Sequence, residues 1–203
     1  MLYRPQYEAV MWDFDGVLAD SQQHTILALQ KTFYHHGLSI PSSEEILELN
    51  GLTAPEMRDA LIKKRVGGVP LELSQSVENT RRRISEHTWD DISLYEGAIE
   101  ALEYVAQICS QGIVSSRGNQ SLQYLLQKHG ISHYFSSVIG REDVKNHKPH
   151  PEPLLKCAQT LDVKPCRSLY IGDTEHDAKA AYHANTNFVR LKGENINELK
   201  YWV

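Results

Sequence analysis

The chain has 203 residues, which at about 150 residues per domain predicts one domain, or one domain with a sizeable insert. Its composition, with 41% hydrophobic and 23% charged residues, is that of a globular protein and excludes a disordered chain. The 21 basic and 26 acidic side chains give a net charge of −5, which excludes the basic excess expected of a nucleic-acid-binding protein.

From the sequence we expect neither a secretory signal nor a membrane anchor. The first eight residues have no apolar signal core, and nowhere do 18 apolar residues follow one another. The three cysteines, Cys109, Cys157 and Cys166, are odd in number and lack the spacing of a metal site. We therefore expect reduced thiols in a cytoplasmic protein that binds neither nucleic acid nor membrane and is a monomer or a weak homodimer.

The first part of the chain predicts one short strand followed only by helices. The apolar run at residues 9–12 ends in the sequence DFDG, which is typical of a buried strand that runs into a loop. Helical spacing and capping residues then predict four helices, at residues 21–37, 43–49, 53–67 and 71–87. The third of these begins with a capping box formed by Thr53 and Glu56.

In the rest of the chain, strands and helices alternate. Strands are predicted at residues 113–115, 137–139, 168–171 and 187–191, with helices around 98–108, 122–130, 152–161 and 177–184. This alternation with short connections predicts a parallel sheet covered on both faces. The expected fold is α/β, with a doubly wound, Rossmann-like parallel sheet core formed by residues 1–20 and 94–203. An all-helical domain, residues 21–93, is inserted after the first strand.

Ionisable and hydroxyl side chains follow the predicted strands. In open parallel sheets, ligands bind beyond the carboxyl ends of the strands, so we expect these side chains to lie on one rim. A single residue of this kind is explained by its turn, because turns favour these residue types. Separate turns need not all place such residues at the same edge of a sheet, so their joint placement indicates a functional site. The candidate site residues are Asp13, Asp15, Ser115, Ser116, Lys148, Asp173 and Asp177.

Phosphoryl transfer is the chemistry that fits this set of side chains. Crowded carboxylates repel one another unless a hard cation lies among them, and Mg²⁺ prefers carboxylate oxygens and water. A lysine and a serine hydroxyl, with backbone N–H groups at loop ends, suit the remaining oxygens of a phosphate. One carboxylate can attack phosphorus, and a second can act as general acid and then as general base.

Four motifs in this order resemble the haloacid dehalogenase superfamily, in the group of phosphoglycolate phosphatases and β-phosphoglucomutases. They read DFDGVLADS from residue 13, IVSS from residue 113, KPHP from residue 148 and IGDTEHD from residue 171. The resemblance covers nearly the whole chain. It implies a Mg²⁺-dependent phosphatase of a small phosphorylated metabolite, with the helical insert acting as a mobile cap.

The resemblance also implies a role for each candidate residue. Asp13 would be the nucleophile and Asp15 the general acid/base, while Ser115, Ser116 and Lys148 would bind the phosphate. Mg²⁺ would be held by Asp13, the backbone carbonyl of Asp15 and Asp173, with Asp177 helping through water. If Lys148 sits in an electrostatically strained position, Lys148→Ala should stabilise the fold or at least leave it intact.

Several other functions remain to be weighed against a phosphatase. A phosphomutase resembles the chain over the whole core, but the loop at residues 49–55 has no lysine or arginine to hold a second phosphate. A dehalogenase or phosphonatase would lack Asp15. A receiver-type phospho-aspartate switch would be shorter and would lack the insert, and a non-catalytic binding relative would have lost Asp13 or Asp15.

Two basic or aromatic features are interpreted as structural. The run Arg81-Arg82-Arg83 is expected to form a solvated helix face, with Glu78 and Glu86 placed for i,i+4 ion pairs. His176 is expected to lie at the rim of the site rather than to bind a metal, because on a helical turn it lies off the line between its two carboxylate neighbours.

Overall fold

The computed structural model describes residues 6–203, and the expectations for residues 1–5 lie outside this part of the chain. The chain divides into two compact units. One unit is formed by the chain up to Asp20 together with Leu94–Val203, and the other is Ser21–Ser93. Among the described residues, no helix is both long and apolar enough to cross a membrane.

The first unit contains a five-stranded parallel sheet with the first strand in the middle. Its strands are β1 (Ala9–Trp12), β4 (Ser110–Val114), β5 (Ser137–Ile139), β6 (Ser168–Gly172) and β7 (Asn187–Arg190). They lie in the order β5-β4-β1-β6-β7. Trp12 is in register with Ile113 of β4 and with Ile171 of β6, so the three central strands end together at one edge.

Helices of the same unit connect successive strands. They are α5 (Ala98–Ala106), α6 (Asn119–Lys128), α7 (Glu152–Thr160) and α8 (Glu175–Ala184). The apolar strand residues are buried because helices cover them; one core cluster joins sheet residues to the inner faces of α7 and α8. The fold is therefore α/β, as predicted from the alternation of elements.

The second unit is built of helices. It contains α1 (Gln22–His35), α2 (Ser43–Leu47), α3 (Ala54–Val66) and α4 (Leu71–Glu86). The predicted capping box is present, because the Thr53 hydroxyl accepts from Glu56 N–H while the Glu56 carboxylate accepts from Thr53 N–H. Helix α3 ends at Gly67, whose φ of +77° is the left-handed conformation that favours glycine. A separate apolar core holds these helices together.

Two short strands lie where the chain passes between the units, β2 (Ala19–Asp20) and β3 (Ser93–Leu94). Neither was predicted, because two-residue strands carry too little hydrophobic pattern to be recognised. Within the α/β unit, Tyr95 N–H donates to the carbonyl of Leu18 at 3.0 Å.

Some predicted boundaries shift in the structure. Helix α8 begins at Glu175 and not at Asp177, because Thr174 is its N-cap and Asp177 is the third residue of a capping box. Strand β4 ends at Val114, so Ser115 belongs to the loop that follows it. The predicted end of α8 is confirmed: Asn185 adopts the left-handed conformation with φ of +56°.

Candidate active site

Asp13 follows β1 directly and lies between the ends of the two neighbouring strands. Its N–H donates to the carbonyl of Ile171 at 2.8 Å, which continues the ladder to β6 by one residue. Its Oδ1 accepts from the N–H of Phe14 at 2.8 Å, so the carboxylate is held against its own backbone. Asp13 is buried beside the apolar residues of β1, a position that few carboxylates occupy without a partner.

Lys148 is the partner of Asp13. Its Nζ lies 3.1 Å from Asp13 Oδ2 and 2.6 Å from Asp177 Oδ1, and it donates to the Tyr170 hydroxyl at 3.0 Å. Only 2% of the lysine side chain is exposed. The structure thus brings together three residues that are separated by up to 164 positions in the sequence, and it adds a tyrosine to them.

Electrostatics favour the charged form of this lysine. Burial alone would lower the pKa of Lys148, but the carboxylates of Asp13 and Asp177 outweigh it and raise the pKa above the ordinary value of lysine. The ammonium group and the carboxylates of Asp13 and Asp177 therefore stabilise one another in their charged forms. The condition under which Lys148→Ala was expected to leave the fold intact, an electrostatically strained lysine, is therefore not met.

Tyr170 is a site residue that sequence reasoning missed. Its hydroxyl lies 2.8 Å from Asp177 Oδ1 and 3.1 Å from the carbonyl of Val114. Burial, followed by the charges of Asp13 and Asp177, raises the pKa of Tyr170 well above its ordinary value, so the phenol stays neutral. The only signal in the sequence is a tyrosine between two apolar residues of a buried strand, since a buried hydroxyl needs a partner.

Asp177 has both carboxylate oxygens engaged by the protein. Oδ1 accepts from Lys148 and lies beside the Tyr170 hydroxyl, while Oδ2 accepts from Thr174 N–H at 3.0 Å and from its hydroxyl at 2.5 Å. Burial alone would raise the pKa of Asp177, but the Lys148 charge and these hydrogen bonds outweigh it and lower the pKa. Thr174 was not recognised from the sequence because the helix was predicted to begin three residues later.

Asp173 completes a group of three carboxylates. Asp13, Asp173 and Asp177 each offer an oxygen, and these oxygens lie within 4.8 Å of one another. Asp173 Oδ1 is buried and accepts no hydrogen bond from the described part of the chain. Gly16, with φ of +80°, makes room for this carboxylate, because a Cβ there would lie 2.5 Å from Asp173 Oδ2.

This group has the chemistry of a site for a hard cation. Burial raises the pKa of Asp13 well above its ordinary value; Lys148 opposes this rise, and Asp177 and Asp173 add to it. Burial and the charge of Asp177 likewise raise the pKa of Asp173 to about 6. Three carboxylates face a single ammonium, and one of them has an unpartnered buried oxygen. Mg²⁺, which prefers carboxylate oxygens, fits the donor set.

Asp15 is turned toward a residue that sequence reasoning did not include, Arg117. Arg117 Nε lies 3.1 Å and 3.0 Å from the two carboxylate oxygens of Asp15, and Nη2 lies 2.5 Å from Oδ1. The side chain of Asp15 is not part of the three-carboxylate group found among residues 6–203. Arg117 directly follows the predicted serine pair, and an arginine beside a phosphate motif was the available signal.

The serine pair follows β4, the strand next to β1. Ser115 N–H donates to the carbonyl of Ile139 at 2.9 Å, and Ser115 Oγ accepts from Arg117 N–H at 3.1 Å. Ser115 is buried and Ser116 is half-buried. Because Trp12 and Ile113 are in register, both serines lie at the same edge of the sheet as Asp13.

Two arginines of the helical unit form ion pairs within that unit. Arg58 and Arg81 both pair with the carboxylate of Glu78, the second in i,i+3 spacing. Glu78 thus has a partner in i,i+3 spacing, and Arg81 is mostly buried, while Arg82 and Arg83 are exposed as predicted.

Comparisons with known proteins agree with the fold. The family model for haloacid dehalogenase-like hydrolases matches residues 10–191. A phosphoglycolate phosphatase of Salmonella paratyphi A is 29% identical, covering 93% of this chain and 83% of that protein. The pyrophosphatase PpaX of Oceanobacillus iheyensis is 30% identical, covering 94% and 87% respectively.

A solved structure shows the same architecture. A haloacid dehalogenase superfamily hydrolase from Geobacter sulfurreducens superposes with a TM-score of 0.71 at 26% identity, and 96% of each chain is covered. The family match spans nine-tenths of the sequence, from β1 to the residue after β7. The chain therefore belongs to the family of haloacid dehalogenase-like hydrolases.

Proposed function

We propose that the protein is a Mg²⁺-dependent phosphatase that hydrolyses a small phosphorylated metabolite through an aspartyl-phosphate. The observation that carries this proposal is the buried contact between Lys148 and Asp13 beside two further carboxylates. Such a group combines a nucleophile, a charge that offsets the phosphate, and donors for a divalent cation. The relatives named phosphoglycolate phosphatase and pyrophosphatase support the same reaction class.

The chemical steps assign a task to each aspartate of the first motif. A carboxylate oxygen of Asp13 attacks phosphorus, and the bond from phosphorus to the leaving oxygen breaks as Asp15 donates a proton to that oxygen. Water then attacks the phosphorus of the aspartyl-phosphate while Asp15 accepts the proton of the water. The products are an alcohol or acid, inorganic phosphate and the regenerated carboxylate of Asp13.

Asp13, Asp173 and the backbone carbonyl of Asp15 would hold Mg²⁺. When bound, the cation neutralises charge on the phosphate oxygens and keeps Asp13 ionised. Asp177 would act differently from the other two carboxylates, because both of its oxygens already accept hydrogen bonds. Asp177 would orient Lys148 and contribute negative charge near the cation, which it would contact through a water molecule.

Lys148, Ser115 and Ser116 would hold the phosphate. The ammonium of Lys148 supplies a positive charge next to the attacking oxygen, which offsets the charge of the phosphate in both steps. The serines that follow β4 supply hydroxyl donors. All three groups stand at the edge where the strands end.

A phosphate-release assay tests the proposal. The protein is incubated with a panel of phosphorylated metabolites, with Mg²⁺ or with a chelator, and inorganic phosphate is measured. We expect release only with Mg²⁺, no turnover by Asp13→Asn, and a loss of about 10²- to 10⁴-fold for Asp15→Asn. Asp162→Asn is the matched control, because it removes an exposed carboxylate in the loop before β6.

The covalent intermediate has a test of its own. Acid-quenched enzyme is treated with borohydride, which reduces an acyl phosphate to the alcohol, and position 13 is then examined for homoserine by mass spectrometry. We expect homoserine in the wild type and none in Asp13→Asn. Near-normal turnover of an aryl phosphate by Asp13→Asn would refute the covalent mechanism.

A phosphorus NMR experiment separates hydrolysis from phosphomutase activity. The protein is incubated with β-glucose 1-phosphate, Mg²⁺ and a bisphosphate primer, and the products are followed over time. We expect free phosphate and no glucose 6-phosphate, because Arg58 and Arg81 are committed to Glu78. Glucose 6-phosphate accumulating faster than phosphate would identify a mutase.

A further inference from the structure

Arg117 forms an ion pair with Asp15, and the reaction steps above assign no role to this arginine. The guanidinium binds the Asp15 carboxylate through Nε and Nη2, and 10% of the arginine side chain is exposed, against 35% for Asp15. Asp15 is the group that gives its proton to the leaving oxygen in the proposed mechanism. Arg117 therefore lies on the leaving-group side of the site.

The backbone around Arg117 holds the guanidinium in place. Its N–H donates to Ser115 Oγ at 3.1 Å, and its carbonyl accepts from Arg141 N–H at 2.9 Å. The guanidinium carbon lies 5.8 Å from the centre of the Phe14 ring, which supports one face of the cation. An arginine fixed in this way loses little freedom when it binds another group.

Asp15 occupies one edge of the guanidinium, and the other edge has a donor that no hydrogen bond of the described residues uses. A guanidinium has five N–H donors in a planar fork, and each edge matches a carboxylate or a phosphate. Asp15 takes the edge formed by Nε and Nη2. Among the hydrogen bonds of residues 6–203, none uses Nη1 of Arg117, so the edge formed by Nη1 and Nη2 keeps donors for a second anion.

We propose that Arg117 binds an anionic group on the leaving half of the substrate with this second edge. The proposal rests on the phosphatase function proposed above and names its substrate class. The substrates are short phosphate compounds whose leaving group carries a carboxylate or a second phosphate within a few bonds of the scissile oxygen. With one edge on Asp15 and the other on this anion, Arg117 places the carboxyl group of Asp15 next to the leaving oxygen.

Two substrates that differ only in this anion test the proposal. Phosphoglycolate carries a carboxylate where 2-hydroxyethyl phosphate carries a neutral hydroxymethyl group, and pyrophosphate serves as the substrate with a phosphate leaving group. We expect the wild type to prefer the two anionic substrates in kcat/KM. In Arg117→Ala that preference should fall about 10- to 100-fold, the size expected for a lost charge-assisted pair.

The kinetic constants separate recognition from the positioning of Asp15. In Arg117→Ala, kcat should fall on all three substrates because Asp15 loses the contact with the guanidinium, while KM should rise only for the anionic ones. Arg117→Lys keeps the charge without the fork, so it should restore part of the preference and less of kcat. Arg167→Ala, which removes an exposed arginine before β6, should leave the preference unchanged.

The outcomes distinguish this proposal from the proposed function. If the wild type hydrolyses all three substrates but Arg117→Ala and Arg117→Lys keep the wild-type preference, the role of Arg117 is refuted and the phosphatase stands. An equal kcat/KM of the wild type for phosphoglycolate and 2-hydroxyethyl phosphate refutes it as well. If the wild type releases no phosphate from any member of the panel, the proposed function itself fails.

Discussion

Lys148 shows how a single residue can serve both folding and chemistry. Its ammonium lies between two carboxylates with almost no access to water. A buried ion pair adds little net stability when it forms, but removing one partner leaves an uncompensated charge in a low-dielectric environment. The same residue would offset the charge of a phosphate, so its loss should affect stability and rate together.

Lys148→Ala should therefore destabilise the folded protein, the opposite of what the sequence led us to expect for a strained lysine. The free energy of unfolding should fall by about 3–5 kcal/mol, because Asp13 and Asp177 lose their shared cation. Chemical denaturation followed by circular dichroism measures this change. Lys179→Ala is the control, because Lys179 is exposed and lies 3.9 Å from Glu175. A Lys148→Ala variant as stable as the wild type would contradict the view that the lysine relieves charge repulsion.

Tyr170 is the residue for which a smaller effect is expected. Tyr170→Phe removes a hydroxyl that accepts from Lys148 and lies beside two further acceptors, so buried polar atoms lose a partner. We expect a loss of about 1–3 kcal/mol in the free energy of unfolding. Tyr182→Phe, at a side chain that is 82% exposed, should change it little. Equal effects of the two substitutions would show that the hydroxyl makes no net contribution.

At the scale of elements, the turn after β1 and the start of α8 form a matched pair. The turn brings Gly16 against the carboxylate of Asp173, and the carbonyl of Gly16 accepts from Gly193 N–H at 2.8 Å. Thr174 caps α8 one residue after Asp173 and binds Asp177. The position of the three-carboxylate group thus depends on two turns as much as on the strands themselves.

Gly16→Ala should disrupt the group of carboxylates. The substitution adds a Cβ at a positive φ and places it 2.5 Å from Asp173 Oδ2, so the carboxylate or the turn must move. We expect a weaker apparent affinity for Mg²⁺ in the phosphate-release assay, together with a lower melting temperature. Gly130→Ala has a similar φ of +68° and nothing within 4 Å of its Cβ, so it shows the backbone cost alone. If both variants bind Mg²⁺ as the wild type does, close packing at Gly16 does not position the carboxylates.

The elements also show which parts of the site could be predicted from the sequence. The strand ends at Asp13, Ser115 and Asp173 were recognisable because apolar runs that stop at polar residues mark the edge of a parallel sheet. Arg117 and Tyr170 were not, because their roles depend on which side chains other strands bring to them. The register between strands separated by about 100 residues is a tertiary property that local patterns do not contain.

At the scale of the whole molecule, protons and the proposed metal ion would compete for the same carboxylates. The pKa of Asp173 is raised to about 6 from its ordinary value of 3.8, so protonation of Asp173 favours the folded state. In the metal-free protein, this contribution is gained as the pH falls from about 6 to about 4. Mg²⁺ needs the ionised carboxylate, so its contribution to stability changes in the opposite direction.

Mg²⁺ should therefore stabilise the protein at neutral pH and much less at acidic pH. At about 100 times its dissociation constant, the ion should add about 2.7 kcal/mol at pH 7.5. Its affinity should fall about tenfold for each pH unit below the pKa of Asp173, which thermal melts at several pH values would measure. In Asp173→Asn the stabilisation should be absent, while Asp162→Asn should retain it. A Mg²⁺ effect that is equal at pH 5 and pH 7.5 would exclude Asp173 as a ligand.

The hydrogen bond between Leu18 and Tyr95 lies at the two ends of the inserted helical segment. The α/β unit closes across this bond, and the 73 residues from Ser21 to Ser93 form a compact unit of their own. The length of the inserted segment can therefore change with little effect on the stability of the α/β unit, because the entropy lost on closing a loop grows only slowly with its length. The helical unit and the residues at the strand ends of the α/β unit can therefore evolve separately. A related protein could carry a different helical unit and keep the same residues at the strand ends.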